Sequence, residues 1–284
     1  MEGLDYRKQR RQVHMKTTYL KAKTYVEEKG SALQKACMAW IDGQGSKEAL
    51  LEALKAYQNE DGGFAHGLEM EYQGPVSCTM STVAALGCIG RFDLKESDVY
   101  TQTIHYLNTI QEANGCLDEN EGIDAYPHPP YMKKGIYREY NTGMVLRWLL
   151  AIGAKEEPLM TRALDYMTNH FEEDSKKQDI WTAIGYLGVF AQLPPNESNK
   201  KIVEWCMSVL MNKGQEPPTK WQQYSGRIES GEPIFPQEVE EVLKAIKDNQ
   251  AEDGGWAQPF GEYNRVWLAI YILQFIKNNQ EVEG

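Results

Sequence analysis

Nowhere in its 284 residues does the chain hold the run of roughly 18 apolar side chains that a membrane-crossing helix needs. No transmembrane segment is therefore expected. The opening residues, MEGLDYRKQRRQVHMK, lack the apolar stretch of a secretory signal. The five cysteines, Cys37, Cys78, Cys88, Cys116 and Cys206, are odd in number and form no CxxC pair. That argues against a disulfide framework and points to reduced thiols in the cytoplasm. Basic residues are also short: 30 Lys and Arg stand against 41 Asp and Glu, for a formal net charge of -11. Nucleic acid is then excluded as the main partner, because phosphate binding needs a basic surface, and an acidic polysaccharide is disfavoured. The basic cluster Arg7, Lys8, Arg10 and Arg11 fits a solvated helix start, or peripheral contact with anionic lipid.

What is present is an ordinary globular composition, 42% hydrophobic and 25% charged, which fits a single domain over 1–284. It also contains a repeat. LKAYQNEDGGF from Leu54 matches IKDNQAEDGGW from Ile246, and LNTIQEANGCL from Leu107 is a degenerate third copy. Gln58, Gln111 and Gln250 lie 53 and 139 residues apart, which fits one and three units of about 46–53 residues and about six units in the chain.

Each unit joins two kinds of helix. The one before the motif is amphipathic, as in KEALLEALKAYQ, where Leu50, Leu54 and Tyr57 share a face. The one after it is apolar on nearly all sides, as in VAALGCIG, MVLRWLLAI, AIGYLGVF and VWLAIYIL, and a helix apolar all round is buried. Repeated about six times, this alternation predicts an all-α protein, an α/α toroid of about six helix pairs in two concentric rings. The glycines of EDGG end the outer helix, and the aspartate and glutamine bond free backbone groups there. Two stretches break the pattern. Gln215–Pro236, with four prolines, predicts a short fifth inner helix or a loop, and Cys116–Tyr137, around YPHPPY, predicts a second loop.

The runs Gln58–Asp61–Gly62–Gly63–Phe64 and Gln250–Asp253–Gly254–Gly255–Trp256 resemble the QW motif of squalene–hopene cyclases and the repeats of prenyltransferase β-subunits. The resemblance covers most of the chain and implies a terpenoid cyclase or protein prenyltransferase-like toroid in which these motif residues are structural. It departs from those families in chemistry. The DxDD acid motif, the Asp-x-Cys zinc pair and the DDxxD metal motif are all absent. The chain thus looks like an orphan branch of the fold, without cofactor and independent of metal, and no zinc requirement is expected.

In a toroid the concave site lies where inner helices begin. The residues there are polar in each unit: Ser77 and Thr79; Glu139, Tyr140 and Asn141; Asp179 and Trp181; Tyr263, Asn264 and Arg265. A polar mouth over apolar walls suits a ligand pocket, and helix capping accounts for the same residue types. Among them Glu139, Tyr140, Asn141, Trp181, Tyr263 and Arg265, with His66, are taken as substrate-binding candidates. Glu69 and Glu71, two residues apart in HGLEMEYQ, are candidate acid and base, because paired carboxylates split their pKa values. Asp124 and His128 in the YPHPPY loop are candidate partners, His128 as a general base. The linker carrying Glu69 and Glu71 is expected to run beside the linker carrying Asp124 and His128, at the rim of a central cavity.

Three readings follow. The first is an enzyme acting on an apolar, isoprenoid-like small molecule by acid–base chemistry. The second is a carbohydrate-active lyase or hydrolase on the same scaffold, since GGWAQPFGEYN resembles lyase GGWPQ-type segments and Arg265 can neutralise a uronate. The third is a non-catalytic ligand-binding or scaffold protein.

Overall fold

The computed structural model describes residues 3–154, 158–212, 219–231, 234–259 and 261–280; the side chains of 3–14 and 212 lie outside that description, and with them the basic cluster Arg7, Lys8, Arg10 and Arg11. The protein is all-helical. In chain order the described residues form α1 (Gly3–Lys29), α2 (Ala32–Asp42), α3 (Lys47–Lys55), α4 (Thr79–Arg91), α5 (Asp98–Ile110), α6 (Arg138–Ile152), α7 (Pro158–Asp174), α8 (Ile180–Phe190), α9 (Glu197–Asn212), α10 (Lys220–Ser230), α11 (Val239–Asp248) and α12 (Glu262–Asn279). Among the described residues no β-strand forms; the extended pairings are single bridges, Gln58–Phe64, Phe64–Cys78 and Gln250–Trp256.

The expected alternation of helix types is present. In α11 the face of Val242, Leu243 and Ile246 is buried, while Glu240, Glu241, Lys244 and Lys247 are exposed. Burying each such side chain stabilises by about 1.5–3 kcal/mol. By contrast α4 and α12 are buried around most of their circumference, α12 through Val266, Leu268, Ala269, Ile270, Ile272, Leu273 and Ile276. The chain divides into two compact units, Leu54–Gln215 and Met1–Ala53 with Glu216–Gly284. Within the first, α4, α6 and α8 lie side by side in that order, and α5, α7 and α9 pack against α4, α6 and α8 respectively. Within the second, α12 contacts both α2 and α10, and α1 and α11 pack against it.

The three repeat turns agree bond for bond. Gln58 Nε2 donates to the carbonyl of Gly62 at 3.0 Å and to that of Val99 on α5 at 3.2 Å. Gln111 donates to Gly115 and Leu159, each at 2.9 Å, and Gln250 to Gly254 and Thr18, each at 2.9 Å. Asp61 accepts from the Gly63 amide at 2.9 Å and Asp253 from the Gly255 amide at 3.0 Å. In the degenerate copy Asn114 takes that role, accepting from the Cys116 amide at 3.0 Å. Glycine is required at the third motif position for two reasons, both plain at Gly254. Its φ is +93°, and a Cβ there would stand 2.3 Å from the carbonyl oxygen of Lys21 on α1. The motif therefore seats each turn on a neighbouring helix, α5, α7 or α1.

Of the two stretches where periodicity failed, the first holds a helix. α10 begins at a capping box in which Thr219 and Gln222 exchange side-chain and backbone bonds, and it ends at Gly231 in the left-handed conformation. Residues 213–218 and 232–233 lie outside the described residues. The second stretch is irregular as expected, apart from two short 3-10 turns at Glu121–Ala125 and Pro130–Met132.

Candidate active site at the start of α4, α6 and α8

The two linkers of the Leu54–Gln215 unit run side by side. Ala65, Tyr72 and Cys78 of the first share one buried cluster with Ile123 and Met132 of the second. Asn120 Nδ2 donates to the Ser77 carbonyl at 3.0 Å, and Thr79 Oγ1 to the Asp118 carbonyl at 2.6 Å. The first linker is a closed loop in its own right, with the His66 amide on the Gly74 carbonyl and the Gly67 amide on that of Tyr72, both at 3.1 Å.

That loop holds Glu69 half-buried. Burial pushes its carboxyl up to about 7; the charge of Glu71 adds to the rise, and hydrogen bonds from the Glu71 and Met70 amides oppose it. Glu71 itself is exposed, as is His66. The His66 backbone is left-handed, with φ of 59°, and its Nε2 lies 2.9 Å from Asn59 Oδ1. Asp124 and His128 pair with each other, Oδ1 to Nε2 at 3.3 Å, and His128 Nδ1 lies 2.9 Å from the Tyr126 carbonyl. The residue of α6 on which the Glu69 charge acts is Tyr140. Burial, and after it the Glu69 charge, pushes the Tyr140 hydroxyl up to about 12.

Tyr140 owes its position to two glycines. A Cβ on Gly143 of α6 would lie 2.4 Å from the Gly185 carbonyl oxygen of α8, and one on Gly185 would lie 2.7 Å from that of Glu139. Only backbone meets backbone at this crossing, so the first turns of α6 and α8 come close. Tyr140 and Trp181 then meet edge to face, centroids 5.5 Å apart, and Tyr137 meets Trp181 at 6.4 Å. Trp181 keeps 41% of its surface exposed. Next to it Asp179 caps α8, accepting from the Thr182 amide at 2.8 Å. Glu139 is buried and paired with Lys177 at 3.0 Å, and Lys177 also meets Asp174 at 2.9 Å. Asn141 is buried as well. Below this polar rim the half-buried positions are Met80 and Ala84 on α4, Met144 on α6, and Ile184 and Leu187 on α8. At spacings of three and four they continue one face of each helix; on α6 that face runs on from Met144 to the half-buried Arg147, whose side chain lies against Gly188 of α8.

Two carboxylates in this region were not among the sequence candidates. Glu119, 2% exposed, accepts from the amides of Thr79 at 2.8 Å and Met80 at 3.0 Å, the first turn of α4. Burial pushes it up to about 7 against the pull of those amides and that of Asn120. Asp118 accepts from the amides of Glu119 at 2.8 Å and Gly135 at 2.9 Å and faces Arg138 at 3.4 Å. The run LDENE directly after the third repeat turn was the available signal. Its contacts lie some 40 residues away in the chain, beyond any local spacing rule.

Tyr263 and Arg265 belong to the other unit. The Tyr263 carbonyl accepts from Gln34 Nε2 at 3.1 Å, and its ring meets Trp267 at 6.4 Å. Arg265 grips Asp253 and Glu262, donates to the Trp256 carbonyl at 3.1 Å and lies over the Tyr25 ring. Among the described residues no group of three or more His, Cys, Asp or Glu side chains is placed to hold a metal ion, and no helix is long and apolar enough to cross a membrane. No protein-family model matches the sequence, and no curated protein matches it.

Proposed function

We propose that this chain is an acid–base enzyme of the terpenoid cyclase and prenyltransferase-like toroid type, with six helix pairs following one another in the sequence, and that it acts on an apolar, isoprenoid-like small molecule. The observation that carries the reading is Glu69, a half-buried carboxyl pushed up to about 7 beside Tyr140. A group with that pKa is matched to moving a proton at neutral pH. The match also narrows the chemistry. An acid of this strength exchanges protons with oxygen or nitrogen but is far too weak to protonate an isolated carbon–carbon double bond, so the substrate is an amphiphile. Its polar end sits at Glu69 and Tyr140, and its tail follows Met80, Met144, Ile184 and Leu187.

The experiment is a mass-spectrometric screen of polyprenyl alcohols, esters and amines with wild type and Glu69→Gln. Product from wild type that falls by about 100-fold or more in the variant supports the reading. Equal turnover by the two proteins, or none across the panel, removes it. The exposed Trp181 flanked by two tyrosines gives the carbohydrate reading its own support, as a platform for a sugar ring. Turnover confined to soluble oligosaccharides would select it.

A further inference from the structure

The rings of Tyr137, Tyr140 and Trp181 do more than fill space. Both tyrosines meet the indole at steep angles, 61° for Tyr137 and 77° for Tyr140, at centroid distances of 6.4 and 5.5 Å. Rings set at such angles form walls, whereas parallel stacked rings cover one another. Trp181 is 41% exposed, so the cluster is open to solvent on that side. The quadrupole of each ring offers its negative face to a cation.

Charges of both signs act on the rings. The Asp179 carboxylate acts on the Tyr137 hydroxyl, and the Glu69 carboxylate acts on that of Tyr140 with the Arg147 guanidinium opposing it. Asp179 commits Oδ2 to the α8 amide of Thr182. Of the nearby cations, Lys177 is held between Glu139 and Asp174. Arg147 lies seven residues along α6 from Tyr140, about 10 Å down the helix axis. The three rings thus form a cluster open to solvent at Trp181, with Met144 one turn along α6 from Tyr140.

We propose that Tyr137, Tyr140 and Trp181, with Asp179 at the start of α8, form a cage for an alkyl-substituted ammonium group. The inference rests on the same site as the functional reading and names the polar end of its substrate. A primary ammonium would seek a close salt bridge, whereas methyl-substituted nitrogen spreads its charge over carbons that pack on ring faces. The tail of such a molecule has Met144 of α6 and Ile184 and Leu187 of α8 to follow.

The test is isothermal titration of the full-length protein with choline and with 3,3-dimethylbutan-1-ol, the neutral isostere in which carbon replaces nitrogen. Choline is expected to bind about ten-fold or more tightly than the isostere, and Trp181→Ala to lose about ten-fold for choline alone. Trp181→Tyr, which keeps a ring, is expected to fall between. Circular dichroism and thermal melting of each variant show that the fold is kept, as expected for so exposed a side chain. Equal affinity for the two probes, no choline binding by wild type at millimolar concentration, or choline affinity untouched in both Trp181 variants overturns the cage. The outcome separates from the acid–base reading through Glu69→Gln. Choline binding retained within a few-fold, with product formation unchanged, removes the catalytic role of Glu69 and leaves the cage standing. Lost product with no preference for the cation does the reverse.

Discussion

Arg265 holds Asp253 with one nitrogen on both carboxylate oxygens, Nη2 to Oδ1 at 3.0 Å and to Oδ2 at 2.9 Å. The same Oδ1 accepts from the Gly255 amide at 3.0 Å. In the first repeat Ser77 Oγ takes the place of the guanidinium, 2.7 Å from Asp61 Oδ1. The third repeat has Asn114, which keeps the amide bond without a charge.

Asp253→Ala is therefore expected to lower stability by about 1–2 kcal/mol, the cost of a lost cap-type bond, with Arg265 left to Glu262 and the Trp256 carbonyl. Asp253→Asn keeps the amide acceptor, as Asn114 does, and should cost less than about 1 kcal/mol, because the ion pair is partly solvated. Urea unfolding of the three proteins measures both differences. Unchanged stability in Asp253→Ala removes the structural role of the motif aspartate.

The repeat made the helical fold legible before any coordinates, because its parts obey local rules. Gln58, Gln111 and Gln250 sit at matched positions, and the apolar runs after them fall on the buried helices α4, α6 and α12. The α10 segment was harder to read: its prolines masked a capping box, Thr219 with Gln222, that was visible in the sequence. The candidate site was legible only in part. The two linkers adjoin as their spacing implied, and Tyr140 and Trp181 meet. Glu119 escaped notice because its value lies in reaching the amides of another helix, and no periodicity encodes a contact across 40 residues. Asp124 and His128 share a linker with it, yet their bonds are to each other and to Tyr126.

Glu119 closes the first turn of α4 with both carboxylate oxygens, Oε2 on the Thr79 amide and Oε1 on the Met80 amide. A glutamine of the same shape must turn its NH2 toward one of these donors, which leaves a buried N–H facing another N–H. Glu119→Gln is expected to destabilise the protein by about 1–3 kcal/mol, the cost of an unsatisfied buried polar group. Chemical denaturation and amide exchange at Thr79 and Met80 report it. An unchanged midpoint with both amides still protected would mean that water, and not Glu119, satisfies the start of α4.

Glu69 ties function to a dependence of stability on pH, and the sign follows from its surroundings. Burial raises its carboxyl from the ordinary 4.5 to about 7 in the folded protein. Between those values the folded state binds more protons than the unfolded chain, so stability falls as pH rises through the window and levels off above it. A shift of this size corresponds to about 1.4 kcal/mol per unit. Because Glu69 is only half-buried, solvent screening reduces the total to about 1–2 kcal/mol. Glu119 titrates in the same window with the same sign, so the wild-type profile alone does not isolate Glu69. Glu69→Gln does: the variant loses the Glu69 contribution and keeps that of Glu119. Urea midpoints taken from about pH 5 to about pH 8 should show wild type losing ground to Glu69→Gln as pH rises, by about 1–2 kcal/mol across the range. Parallel profiles would mean that the Glu69 carboxyl is hydrated like any surface acid, and a hydrated acid would be fully ionised at neutral pH with no proton to give.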